Sequence, residues 1–201
     1  MTAMCDVAFL LLSFFVMTAT ARLPEPHPVD APASTVQTKL PEEGLATITV
    51  GDKKVFFTIL GKEVRRKTLE RMSSKYNMPF TEGEYEAFSN MQGFGVPLNE
   101  LKGLLKIEPA ERNEEGLQKG IPYDSINNQL GDWVELARQA NKEVLEARIA
   151  QGEDVPFKDL DIAIKGDAEE EYPTIKRVID ILQEQKKNRF FLVTGLRNED
   201  F

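Results

Sequence analysis

The sequence predicts an α+β chain: a single N-terminal transmembrane helix, a proline-rich linker, and a small outer domain. Three observations lead there. Residues 1–21 are apolar apart from one acid and a few small polar side chains. Residues 22–44 hold five of the chain's eleven prolines and almost no large apolar side chain. From Leu45 onward the apolar residues recur with strand and then helix periods, as in a domain with its own core.

The first stretch reads MTAMCDVAFLLLSFFVMTATA. As a helix, its 21 residues span ~31 Å, about the hydrocarbon thickness of a bilayer. Eight Leu, Val and Phe residues each favour insertion by roughly 0.3–0.6 kcal/mol, against roughly 2.5–3.5 kcal/mol for a central Asp6. The sum is close to balance or favourable, and improves if Asp6 is neutral or faces protein. Hydrocarbon disfavours a carboxylate's charge, so an acid here calls for a functional reason. Asp6, Ser13 and Thr20 recur every seven residues, and Thr2 lies one turn before Asp6. On a helix they draw one narrow polar stripe opposite a Leu/Phe face. Such a stripe faces other helices or a water path, so Thr2, Ser13 and Thr20 are candidates for helix contact or a proton path. Two other readings stay open on the residues alone. One is a cleaved signal peptide, with Thr18-Ala19-Thr20-Ala21 as a small-residue cleavage site. No positive residue precedes Val7, and Asp6 has the wrong sign there. The other is the core helix of a globular protein.

The linker cannot build a core and is expected to be extended, partly polyproline II. His27 lies in it among prolines and is expected to be solvated. Residues 45–201 are enough for one domain. The net charge of −8 argues against nucleic acid, which requires a clustered basic surface. The single cysteine, Cys5, lies in the first stretch, so neither an internal disulfide nor a cysteine metal site is available.

The outer domain opens with alternation over Leu45–Leu60 around Gly51-Asp52-Lys53-Lys54, a β-hairpin. Residues 64–76 read as a short amphipathic helix using Leu69 and Met72. Thr81-Glu82-Gly83-Glu84 is an N-cap pattern opening a helix through Tyr85 and Phe88. Gly93 to Pro97 breaks it. Leu98–Lys106 is a further helix, residues 108–120 a charged loop, and residues 120–125 a turn. Residues 132–150 form the clearest soluble helix, its apolar face made by Trp133, Leu136, Ala137, Ala140, Val144 and Leu145, with Trp133 in the core. Gly152 to Pro156 ends it. Residues 160–165 are a strand. Pro173 opens a helix whose face is Ile175, Val178, Ile179 and Leu182. Residues 190–194 are a buried strand. Strand, helix, strand in that order predicts a parallel or mixed pairing.

Catalytic patterns are absent. The single His rules out a Ser/His/Asp triad, and no Walker loop or HExxH motif occurs. Gly93 and Gly95 lack a preceding strand and a third glycine. The acids Asp159, Asp161, Asp167 and Glu169 to Glu171 lack EF-hand spacing and read as a solvated loop. No cofactor and no metal is expected.

The run from Met1 to Phe15 resembles the transmembrane segment of the ExbD/TolR biopolymer-transport family, roughly M-T-P-x-x-D-V-x-F-L-L-L-x-F-F. Ala3 stands for the usual Pro and Cys5 for a common Val. Asp161 to Asp167, then Tyr172-Pro173 and a helix, then Phe191 to Thr194 resembles the family's closing β-α-β. Residues 63–150 exceed the short members and are similar to the longer, Bacteroidetes-type ones, a mostly helical insertion. Members carry a short basic tail before the helix, so the start is expected to be misassigned or the sequence a fragment.

The resemblance implies a chain organised as transmembrane helix 1–21, periplasmic linker 22–44 and periplasmic domain 45–201. It implies an inner-membrane location with a cytoplasmic N-terminus, although Arg22 after the helix argues weakly for the reverse. Asp6 becomes the proton-coupling residue. The implied partners are an ExbB/TolQ-like polytopic protein, a second copy of the chain as a homodimer, and a TonB- or TolA-like protein. The function implied is a non-enzymatic subunit that harvests the proton-motive force to energise TonB-dependent transport across the outer membrane. The alternatives are a TolR-like role in the Tol-Pal system and a secreted acidic binding protein. A MotB-like stator would need a peptidoglycan-binding pattern that the C-terminal sequence lacks.

Overall fold

The computed structural model describes residues 2–18, 27–31, 33–34, 40–114, 116–193 and 195–196. Helix α1 runs Thr2–Thr18 and strand β1 is Ala33–Ser34. The hairpin strands β2 (Leu45–Gly51) and β3 (Lys54–Ile59) follow, then α2 (Lys62–Lys75) and α3 (Glu82–Asn90). After these come β4 (Gly93–Phe94), α4 (Leu98–Lys106) and α5 (Gln129–Ala150). The chain closes with β5 (Asp161–Gly166), α6 (Tyr172–Glu184), β6 (Phe191–Val193) and β7 (Gly195–Leu196). Among the described residues no helix is long and apolar enough to cross a membrane. α1 has 17 residues, about 25 Å of helix; residues 19–21 of the expected span lie outside the described residues.

The expected hairpin is present, with Ala46 opposite Ile59 and Gly51 opposite Lys54. Its two turn residues, Asp52 and Lys53, have φ of 52° and 59°, the left-handed pair that matches the twist of the flanking strands. β5 pairs parallel to β2, and β6 parallel to β5, giving a mixed sheet ordered β4-β3-β2-β5-β6. The period of two sends Ala46, Ile48, Val50, Phe57, Ile162 and Ile164 to one face. There they join Leu69 and Met72 of α2, Trp133 and Ala137 of α5, and Val178 and Leu182 of α6 in a single apolar core. Trp133 is fully buried against Phe88 and Phe94, with ring centroids 5.8 and 4.7 Å away. α3 opens with the expected capping box: Thr81 accepts the Glu84 N–H while Glu84 accepts the Thr81 N–H.

Four expectations change. The break at Gly93 to Pro97 contains β4, a two-residue strand pairing with Phe57 and Thr58. α5 begins three residues early, at Gln129, because the Asn128 side chain accepts the Gly131 N–H and caps it. β6 is not buried: Leu192 is 59% exposed, since β6 ends the sheet and nothing described covers its side chains there; Thr194 lies outside the described residues. His27 is not a solvated linker residue. Its ring stacks on Phe56 at 4.8 Å and 4°, on the face of the sheet opposite the core. Part of the linker is therefore fastened to the domain. Gly95 is required beneath it, because a Cβ there would sit 2.1 Å from the Phe56 ring.

Candidate functional site

α1 sets the site. Asp6 and Ser13 are seven residues apart, which at 100° per residue puts them within about 20° of one another. Thr2 opens the helix one turn before Asp6. Thr20, the fourth member of the predicted stripe, lies outside the described residues. Asp6 is exposed and Ser13 half-buried. Among the described residues the Asp6 carboxylate has neither hydrogen-bond nor ion-pair partner. It is also the only ionisable acid or base of the helix besides Cys5. Every large apolar side chain from Val7 to Met17 is more than half exposed. Soluble monomers rarely leave so large an apolar surface bare; it marks a surface for lipid or protein. The polar group that breaks the surface is the acid. Thr18 satisfies its own hydroxyl by donating to the Phe14 carbonyl at 2.7 Å.

The outer domain uses its charges for structure. Glu143 accepts hydrogen bonds from Lys67 and Arg71, which tie α5 to α2 and hold its carboxyl below the usual glutamate range. Burial pushes Asp159 up, but bonds from Arg138 and Lys187 outweigh it and leave the carboxyl below its ordinary value. Tyr76 is pushed upward by burial and by its bond to Asp132. The acids after β5 are exposed or half-exposed, as a solvated loop requires, and two of them also fasten distant backbone groups. Asp167 Oδ2 accepts the Asp30 N–H at 3.3 Å, and Glu170 accepts the Lys53 N–H at 3.0 Å. Among the described residues no cluster of His, Cys, Asp or Glu has the arrangement of a metal site.

The two edges of the sheet differ. On one side the two-residue β4 is the last strand, and beside it the Ile121 N–H donates to the Val55 carbonyl at 2.7 Å, so that the rest of β3 is covered too. On the other side β6 is the last strand, with its outer backbone unpaired among the described residues. The sequence reading missed the docking of His27. Its partner Phe56 lies in a different element, and only Gly51, an unusual residue within a strand, signalled a close approach.

The family described as Biopolymer transport protein ExbD/TolR matches residues 1–196 of the chain. No curated protein and no solved structure matches it. The chain belongs to the ExbD/TolR biopolymer transport family.

Proposed function

We propose that this chain is the proton-harvesting subunit of an inner-membrane complex of the ExbB-ExbD type that energises TonB-dependent transport across the outer membrane. In this reading residues 1–21 are the membrane anchor, with the N-terminus in the cytoplasm. Residues 22–44 are the linker. Residues 45–201 are the periplasmic domain, with 63–150 as its helical insertion. The observation that supports it is Asp6: an acid with no described partner, on a helix whose apolar side chains are bare. One charge moved through 100 mV is worth about 2.3 kcal/mol. A carboxyl that takes a proton from one side and returns it to the other can couple that energy to a change in helix packing. One helix cannot enclose a proton path, so an ExbB/TolQ-like polytopic protein and a second copy of this chain surround Asp6. Thr2, Ser13 and Thr20 line the path or the helix contact. A TonB- or TolA-like protein takes the output, its extended segment adding to the unpaired edge of β6.

The test is Asp6→Asn, which keeps size and polarity but cannot ionise. Energised transport should fall to background while the chain is still made and co-purifies with its polytopic partner. Asp6→Glu should retain a fraction of the activity. Normal transport in the Asn variant sinks the reading.

A further inference from the structure

We propose that residues 27–31 form a releasable strap that sets how far the outer domain stands from α1, and that its release is a step of the working cycle. The proposal rests on the reading of α1 as the membrane anchor.

The strap is built, but thinly. The His27 ring lies flat on Phe56, and its Nε2 is 3.8 Å from Asp52 Oδ2. Asp30 is held by its N–H to Asp167 Oδ2 at 3.3 Å and by its carbonyl, which accepts the Ala168 N–H at 2.8 Å. The seat is shaped for this segment. A Cβ on Gly51 would lie 2.7 Å from Val29 Cγ1 and 2.8 Å from His27 Nε2. A bulky side chain at this strand position would therefore displace the Val29 and His27 side chains from their seat. Few contacts hold it, at the edge of the molecule, where local opening is least costly.

Docking determines where the tether leaves the domain. The strap meets the hairpin tip at Gly51 and Asp52, whereas the next held point of the linker is β1, paired with β7. Eight residues separate Thr18 from His27, a reach of at most about 30 Å. With residues 27–31 free the linker is still held at Ala33 and Ser34, which pair with β7. Fourteen residues separate Thr18 from Ala33, a reach of about 50 Å. Release thus lengthens the reach of the tether by more than half and moves its exit from the hairpin tip to β1 on β7.

Gly51→Val adds the side chain the seat has no room for, in a strand that favours it. It is measured in the full chain in lipid nanodiscs, with His27→Ala as a second, milder release. Amide exchange at Ala168 should accelerate at least tenfold in Gly51→Val. Nitroxides at Met17→Cys and Glu169→Cys, in a Cys5→Ala background, should show a distance distribution shifted to longer values than in the otherwise unchanged chain. The opposite variant is Val29→Cys with Gly51→Cys, also in Cys5→Ala, whose disulfide locks the strap down. Locked, the distances should stay short and energised transport should drop at least tenfold, recovering with reductant. Unchanged exchange and distances in both release variants overturn the strap. Full transport with the lock closed overturns its place in the cycle. Carbonate extraction of membranes is read alongside: a chain that washes off defeats the anchor reading, while Ala168 exchange still reports on the strap.

Discussion

α1 and the sheet of the outer domain carry comparable stretches of apolar sequence and treat them in opposite ways. In β2 and β3 the alternate side chains Ile48, Val50, Val55 and Phe57 are completely buried. In α1, Phe9, Leu10, Phe14 and Phe15 are 61–68% exposed. The charges follow the same division. Glu143 and Asp159 each have two cationic partners, while Asp6 has none described. The outer domain satisfies its own apolar surface and charges, whereas α1 leaves both its apolar surface and its one acid without a described partner.

That contrast can be broken or sharpened by substitution. The largest effect is expected at Asp6. Asp6→Asn should abolish energised transport yet leave the urea midpoint of the outer domain where it was, because Asp6 supports none of that fold. A shifted midpoint would mean the two regions are not independent. Trp133→Ala is the converse. Emptying a fully buried indole site costs about 3–5 kcal/mol and should lower the denaturation midpoint steeply. Removing the Thr81 cap with Thr81→Ala should cost about 1 kcal/mol, visible as a small midpoint shift with an unchanged slope.

The smallest effect is a pH dependence. The Lys67 and Arg71 hydrogen bonds hold the Glu143 carboxyl low. A depressed carboxyl contributes stability that is complete above its ordinary value and is lost as the pH falls through the lower folded one. Stability should therefore drop on the acid side of the ordinary glutamate range, and Glu143→Gln should flatten that part of the profile. The pair is partly exposed, so the effect should shrink further in high salt.

Much of this was legible from residue order. The hairpin follows from alternation around Gly51-Asp52-Lys53-Lys54. α3 follows from Thr81 and Glu84, and α6 from Pro173 at its first turn. Each of these signals acts within a few residues of itself. The acid in α1 was legible for the same reason, as one charge in an otherwise apolar run. The errors came where the decisive partner was distant. β4 is a strand only because Phe57 and Thr58 lie beside it. Leu192 has the composition of a buried strand and is exposed because β6 has a neighbour on one side alone.

The sequence by itself determined the periodicities, the caps, the turn and the position of Asp6, because those depend on local sterics and on the cost of charge in an apolar segment. Only the tertiary structure decided which strand became the open edge and that His27 would lie on Phe56 over Gly51. Those outcomes depend on surfaces brought together from far along the chain, and no short window of residues contains both halves of such a contact.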